Sequence, residues 1–386
     1  MAAQGAVVAV TKYRLLLLIV VACVSVTSNG AVLPQDRSDA MYHSYSGDGV
    51  TIDGPSVLLR KKVGNNVSVS ANYYVDTISG ASIDVRAQAS EYQEERTETT
   101  VGGDFLHNKT LINVSYTNSS ENDFEANSYH LGISQDFFGD LTTLSLSYSR
   151  GDDEIRRRGD ESFLEEANRQ KFGLGLTQVV TKSLIVGVNA ENVSDEGYLN
   201  NPYRAIRYLD ENSARGFSFT TEVYPTTRVS NAFSVNANYY LPYRASIYGN
   251  ARYYTDTWGI RATNAKVGYI HTIGDEWILD AHVRFYQQDQ ADFYRDLFTR
   301  ADEFNIMARD KELSTYSGVS AGVGVTYEWA FSAASYLKKS TLNFEYDYMN
   351  FDYDNFRDAT DDAPVGEEAL FGFSANVIRA YVSVWY

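Results

Sequence analysis

Apolar side chains recur at every second position along most of this chain. Residues 277–285 show the pattern, with Trp277, Leu279, Ala281, Val283 and Phe285 alternating with polar residues such as Asp280, His282 and Arg284. Because successive side chains of a β-strand point to opposite faces, each run predicts a strand with one apolar and one polar face. Such runs of about ten residues are typical of strands that span a membrane. The pattern predicts an all-β fold, a transmembrane antiparallel β-barrel.

The last twelve residues follow the same rule. Counting back from the end in twos gives five apolar residues, namely Tyr386, Val384, Val382, Ala380 and Ile378. An ordinary closing strand of a soluble β-sandwich would read similarly, but a free apolar edge invites pairing with other chains. Closing a barrel pairs that edge. An aromatic last residue also resembles the terminal signature of bacterial outer-membrane barrels, so we expect the barrel assembly machinery to be a partner through the strand ending in Tyr386.

Three segments are predicted. Residues 1–31 are a signal peptide, in which Lys12 and Arg14 precede an apolar run and then small residues. Cys23 lies close to a lipoprotein-type cleavage box, but an incidental cysteine in the leader is the better interpretation. Residues 32–65 are interpreted as a polar periplasmic lead-in with at most one weak strand near residues 57–60. Residues 66–386 are the barrel, which we expect in the outer membrane.

The strand count is predicted as sixteen, within about two. Residues 151–168, 194–213, 289–314 and 352–368 are interpreted as loops, and residues 292–308 as able to hold a short helix. One conflict remains, because five strand-like runs lie between the loops at 194–213 and 289–314, starting near Gly216, Ala232, Ala245, Ile260 and Trp277. Two loops on one side of a membrane require an even number. Either one strand is split or missed, or one of the two loops lies on the periplasmic side.

Composition narrows the function classes. The formal net charge of −17 argues against nucleic acid as a partner, because binding phosphates needs a basic face. A mean hydropathy of −0.32 is too polar for a helical membrane protein. The thirty tyrosines suit a membrane–water interface. Cys23 is the only cysteine, so a mature chain without the leader has no internal disulfide and no thiolate metal site.

Enzyme motifs for haem, zinc, nucleotide or serine chemistry are absent from the sequence. Two histidines have a catalytic type of neighbour two residues away, His130 with Ser128 and His282 with Asp280, but such pairs are common by chance. The acidic clusters at 152–154, 352–362 and 367–368 lack the spacing of a calcium loop. With Arg156 to Arg158, they are interpreted as solvated loops that meet outer-membrane lipid and lipopolysaccharide. We expect no enzymatic activity, cofactor or bound metal.

Ten polar residues are candidates for lining the interior, because they alternate with the apolar set and carry both charge signs and amides. They are Asn238, Asn250, Arg252, Asp280, His282, Arg284, Asn343, Glu345, Asp347 and Arg379. The loop at 289–314 is the candidate constriction, because it is the longest and mixes charge with Phe293, Tyr294, Phe298 and Phe304. An open pore and a lumen closed by salt bridges would use the same residues.

Several stretches resemble a family of Gram-negative outer-membrane barrel proteins known only as a domain of unknown function. The motifs include Tyr73-Tyr74-Val75-Asp76, Gln135-Asp136-Phe137-Phe138-Gly139-Asp140, Asn201-Pro202-Tyr203-Arg204 and Thr257-Trp258-Gly259-Ile260. The resemblance spans residues 66–386 and implies an outer-membrane barrel with no established activity.

The leading functional hypothesis is a porin-like channel or a structural component of the envelope. The first alternative is a closed barrel that acts as a scaffold or sheath for a periplasmic partner, such as an electron carrier. The second is a hydrolase built into a barrel wall.

Overall fold

The computed structural model describes residues 31–80, 92–332 and 335–386. The predicted signal peptide and Cys23 lie outside the described residues, apart from Ala31 at the end of the predicted leader. Within the described part of the chain, no helix is long and apolar enough to cross a membrane.

The described residues form eighteen β-strands, and sixteen of them make one closed antiparallel barrel. The strands are β1 Arg37–Gly47, β2 Val50–Val63, β3 Val67–Gly80, β4 Tyr92–His107, β5 Thr110–Ser120, β6 Phe124–Phe137, β7 Thr142–Arg157, β8 Asp160–Thr181, β9 Leu184–Gly197, β10 Ala205–Leu209, β11 Phe217–Thr221, β12 Thr227–Leu241, β13 Ala245–Asp256, β14 Arg261–Ile273, β15 Trp277–Gln288, β16 Tyr316–Ala330, β17 Lys339–Arg357 and β18 Leu370–Trp385. β1 pairs with both β2 and β18 and so closes the cylinder. The predicted fold class is confirmed.

The barrel has two unlike ends. The start of β1 and the end of β18 meet at one end, where Arg37 pairs with Trp385, and short turns connect the other strands there. We call it the turn end. The opposite end, called the loop end, carries the long segments at 198–226, 289–315 and 358–369.

Alternation along the strands determines which side chains face outward. On β15, Trp277, Leu279, Val283 and Phe285 are exposed on the outside, whereas the residues between them are half-buried or buried. The same division holds on β12 and β14. A barrel with an apolar exterior and a polar interior suits a lipid environment, because hydrocarbon then meets only every other side chain.

The lead-in interpretation of residues 32–65 was wrong for most of its length. Residues 37–63 form β1 and β2, two full strands of the wall. Their alternation is weak because β1 has serines at several outward positions, for example Ser44 and Ser46. The usable signal was the turn at Asp48 and Gly49, whose φ values of 53° and 71° match a tight hairpin.

The conflict over strand number is resolved by the run that starts near Gly216. β11 pairs with β10 in a separate two-stranded sheet and is not part of the barrel. Four wall strands, β12 to β15, therefore separate the two long loops, and both loops lie at the loop end. A short apolar alternation has the same sequence pattern whether its partner is a loop strand or the wall.

The predicted loop at 151–168 is largely strand. β7 continues to Arg157 and β8 starts at Asp160, so the hairpin extends beyond its neighbours. Cross-strand charge pairs explain why so polar a segment stays extended, because Arg169 binds Asp195 at 2.6 Å and Arg157 binds Asp160 at 2.5 Å. The predicted loop at 352–368 also begins later, since β17 continues to Arg357.

Neighbouring residues on β7 provide a test of the barrel's two faces. We expect Leu146→Arg, which places a cation on the exposed outer face, to lower the free energy of unfolding in lipid by about 2–4 kcal/mol. Ser145→Arg, one residue earlier, points inward and should cost much less. Urea unfolding in vesicles measures both, and equal losses would contradict the assignment of the faces.

Candidate functional site

The ten predicted lining residues all occupy inward positions, opposite the exposed apolar set. Two groups of charged contacts involve most of them. The first group spans β15 to β18 and the second joins β8, β9 and β13. Asn238 lies half-buried on the same face of β12.

The first group is centred on Asp347 of β17. His282 Nε2 lies 2.9 Å from one Asp347 oxygen, and Arg379 donates to the other at 2.9 Å. Arg379 also contacts Glu345 at 2.9 Å, while His282 Nδ1 lies 3.2 Å from Asp280. The result is a continuous chain of opposite charges across four strands.

A glycine on β16 allows this group to lie flat on the wall. A Cβ at Gly322 would come within 2.1 Å of Asp347 Oδ1 and 2.5 Å of His282 Cε1. Side chains from β15 and β17 therefore occupy the space above Gly322. Any larger residue there would push the group towards the lumen.

The second group remains partly exposed on the inner face. Arg252 contacts Glu191 at 2.8 Å, and Lys171 contacts the same carboxylate at 2.6 Å. Their side chains keep 27%, 22% and 32% of their surface exposed, respectively, although they point inward. Charged groups that stay solvated inside a barrel indicate a water-filled lumen.

Much of the remaining wall is lined by small neutral residues. Inward positions on β6 to β9 and β12 carry Gly132, Ser145, Ser147, Gly173, Gly175, Gly187, Asn189, Ser234 and Asn236. These side chains lie over the glycines of neighbouring strands, as Ser147 does over Gly173. This side of the wall therefore carries no charged side chain at these positions.

Three segments pack together across the loop end, and we call them the lid: residues 198–226, 289–315 and 358–369. Tyr224, Tyr294 and Leu313 of the first two segments form an apolar core with Trp258 and with Phe356 at the end of β17. Backbone hydrogen bonds join the first two segments, with Val223 and Met307 bonded in both directions at 3.0 and 2.9 Å.

Buried ion pairs fasten the lid. Arg207 in the first segment binds Glu368 in the third, and both residues are almost completely buried. Arg204 contacts Asp310 at 3.1 Å, and Arg309 contacts Asp296 at 2.9 Å. Pairs from distant segments make the lid one unit, since each buried charge depends on its partner.

The loop predicted as a constriction is the middle segment of the lid. Tyr294 and Phe298 are buried, Phe293 packs against the core, and Phe304 remains 47% exposed. The expected short helix within 292–308 was wrong, because the only helical turn in the described part of this segment is the 3-10 turn at Lys311–Leu313.

Glu222 is the most unusual ionisable group of the lid. It is 1% exposed, accepts a hydrogen bond from Tyr224 Oη at 2.7 Å and another from the Arg309 N–H at 2.6 Å. Burial, together with the nearby charge of Asp310, raises the pKa of Glu222 to about 7. Burial raises the pKa of Tyr224 as well.

The two histidine pairs considered for catalysis have different contacts. His130 Nδ1 lies 2.8 Å from Ser149 on β7, and the predicted neighbour Ser128 takes no part in that contact. His282 and Asp280 do meet, but within the Asp347 group. Three acids outside the predicted lining set, Glu94, Glu121 and Asp123, have carboxylate oxygens within 4.8 Å of one another. Oxygen ligands of this kind suit Ca²⁺ or Mg²⁺.

A family model described as a protein of unknown function (DUF3570) matches residues 164–360. No curated protein sequence matches the chain.

Among solved structures, a bacterial polysaccharide outer membrane secretin matches with a TM-score of 0.51, 8% identity, and coverage of 91% of this chain and 99% of that one. The siderophore receptor PirA from Pseudomonas aeruginosa gives a TM-score of 0.43 and 9% identity over 92% of this chain and 81% of that one. The outer membrane protein opdK from Pseudomonas aeruginosa gives 0.42 and 10% over 92% and 100%. At these identities the secretin match shows a shared fold alone.

Proposed function

Because this chain belongs to the DUF3570 family of proteins of unknown function, its role must be inferred from the barrel itself, and we propose that it is a porin-like channel of the outer membrane. The carrying observation is the set of solvated charges on the inner face of a barrel whose outer face is apolar. Passage of a small polar solute needs such a lining and no catalysis.

The lid makes the proposed channel a gated one. Its segments pack with the apolar and ionic contacts of a protein core, and we infer from this packing that they close the loop end. Following the usual topology of these barrels, we place the loop end outside the cell and the turn end in the periplasm. Opening then requires separation of the lid segments from one another.

A shortened lid tests the proposal. Ala205 and Thr221 are paired neighbours, so an Asn-Gly turn can replace residues 206–220 without moving the ends. We expect this variant, reconstituted in liposomes, to admit small sugars and amino acids faster than the unaltered protein. A control variant, Glu161→Gln, changes an exposed acid of the β7–β8 hairpin and should change nothing.

Heat-modifiable migration on gels confirms that each variant is folded. A folded, shortened variant that admits no solute would contradict the channel. A periplasmic protein that copurifies with the barrel would then favour the scaffold alternative.

A further inference from the structure

Two cations face each other on the inner wall without a carboxylate between them. Lys266 of β14 lies directly opposite Arg284 of β15 in the strand register. Both point inward, since Val267 and Phe285 beside them are exposed on the outer face. Like charges at directly opposed positions destabilise a sheet, so this arrangement calls for a physical reason.

Neither cation has an ion-pair partner within 4 Å in the described part of the barrel. The nearby acids of the inner wall are engaged elsewhere, because Asp347 binds His282 and Arg379, and Asp280 binds Tyr248 and His282. Lys266 also lies over the ring of Tyr248 at 5.7 Å, and Arg284 over the ring of Tyr286 at 5.7 Å.

The guanidinium of Arg284 is held in place by one hydrogen bond, while another of its nitrogens has no partner among the described residues. Its Nε donates to Asn264 Oδ1 at 3.0 Å, which fixes the plane of the guanidinium. Its Nη2 is buried and has no hydrogen-bond partner among the described residues. A fixed guanidinium with an unused donor is suited to a planar or tetrahedral oxyanion.

Uncharged polar residues on the two flanking strands lie beside this pair of cations. In the register, Asn250 is opposite Lys266 and Ser320 is opposite Arg284, so four strands contribute hydrogen-bonding groups at one level. Phe351 covers Gly318, and His282 with Asp347 covers Gly322. Ser320 lies between these two covered positions and next to Arg284.

We propose that Lys266 and Arg284, with Asn250 and Ser320, form an oxyanion-binding site in the lumen. Resting on the proposed channel function, the inference names its substrate class as small carboxylates or phosphates. A bound oxyanion would offset the repulsion between the two cations and use the free Arg284 donor. The small neutral residues on β6 to β9 would not discriminate between solutes by the uncharged part of the molecule.

Binding to the purified protein in detergent tests the site without requiring conduction. Calorimetric titration with inorganic phosphate and with succinate should give saturable binding of at least one of them. We expect Arg284→Gln and Lys266→Gln each to weaken it by about tenfold to a hundredfold. Lys171→Gln removes a lumen cation that already has a carboxylate partner, Glu191, and should leave binding unchanged.

The two probes distinguish the possible sources of the oxyanion. A preference for phosphate and a preference for the carboxylate would each support the site. No binding of either probe, or equal loss in Lys171→Gln, would overturn it. Both Gln variants remove a repulsion and should fold at least as well as the unaltered protein in the absence of ligand.

Reversal potentials across a salt gradient provide the second readout. The lid-shortened barrel should prefer anions, and Arg284→Gln in that background should lose much of the preference. Binding without conduction would leave the site intact and reject the channel. Conduction without binding or anion preference would reject the site alone.

Discussion

Raising the pH from about 4.5 to about 7 is expected to loosen the lid and increase conductance, with little further change at higher pH. The reason lies in Glu222, whose pKa is raised from 4.5 to about 7 in the closed lid. In an opened lid the carboxyl meets water and its pKa returns towards the ordinary value. Closure therefore takes up a proton.

The direction of the pH effect on lid closure follows from this uptake of a proton. Below pH 4.5 the carboxyl is protonated in both states, so the closed lid has its full stability. As the pH rises towards 7, the open state loses the proton first and becomes favoured, by on the order of 3 kcal/mol at the plateau. The groups that face Glu222 are Tyr224 and Arg204 from its own segment, and Arg309 and Asp310 from the middle segment.

Glu222→Gln isolates the effect. Glutamine keeps an oxygen for Tyr224 and Arg309 but cannot ionise, so the lid should stay closed and conductance should no longer depend on pH in this window. Glu211→Gln changes an exposed acid of the same segment and should keep the original pH dependence. Single-channel recording between pH 4 and pH 8.5 measures all three proteins. An unchanged pH profile in Glu222→Gln would exclude this residue as the sensor.

Breaking the pair between Arg207 and Glu368 should have the second large effect. Arg207→Ala leaves a buried carboxylate without its partner, which costs about 3–5 kcal/mol in comparable buried pairs. Because these two residues join the first and third lid segments, the cost falls on closure of the lid. We expect a strong rise in open probability and faster proteolysis within residues 198–226.

A double variant separates charge from packing. Arg207→Met with Glu368→Leu replaces both buried charges by apolar groups and should recover most of the closure. Arg300→Ala breaks an exposed pair with Asp302 and should change little. If Arg207→Ala conducts and resists protease like the unaltered protein, the lid does not depend on this pair.

Alternation was sufficient to predict the wall wherever the outer positions are strongly apolar. On β15 the predicted inward set of Asp280, His282 and Arg284 is the observed one. Alternation was insufficient to predict β1, where serines occupy lipid-side positions and only the Asp48-Gly49 turn indicated a hairpin. Lys266 had the same inward spacing as Asn264 in β14, so the sequence contained the evidence for its position.

Contacts between distant segments could not be predicted from one sequence. Arg207 and Glu368 are 161 residues apart, and nothing in their local patterns connects them. The loop at 289–314 was predicted as a constriction from its aromatic and charged residues, but its packing partners come from the first lid segment and from the ends of wall strands. The separate β10–β11 sheet was missed for a different reason, because a short alternation has the same pattern in a loop hairpin and in the wall.

Thiol labelling in liposomes tests the central claim, a hydrated lumen closed at one end, most directly. Ser234 and Val235 are neighbours on β12 with opposite orientations, and Cys23 is the only native cysteine. In the Glu222→Gln background, whose lid should stay closed at the neutral pH that thiol chemistry needs, a charged, membrane-impermeant thiol reagent should modify Ser234→Cys from the turn end. It should modify Ser234→Cys only slowly from the loop end, and Val235→Cys from neither. Equal labelling of the two cysteines, or no labelling of Ser234→Cys from either side, would contradict the water-filled barrel.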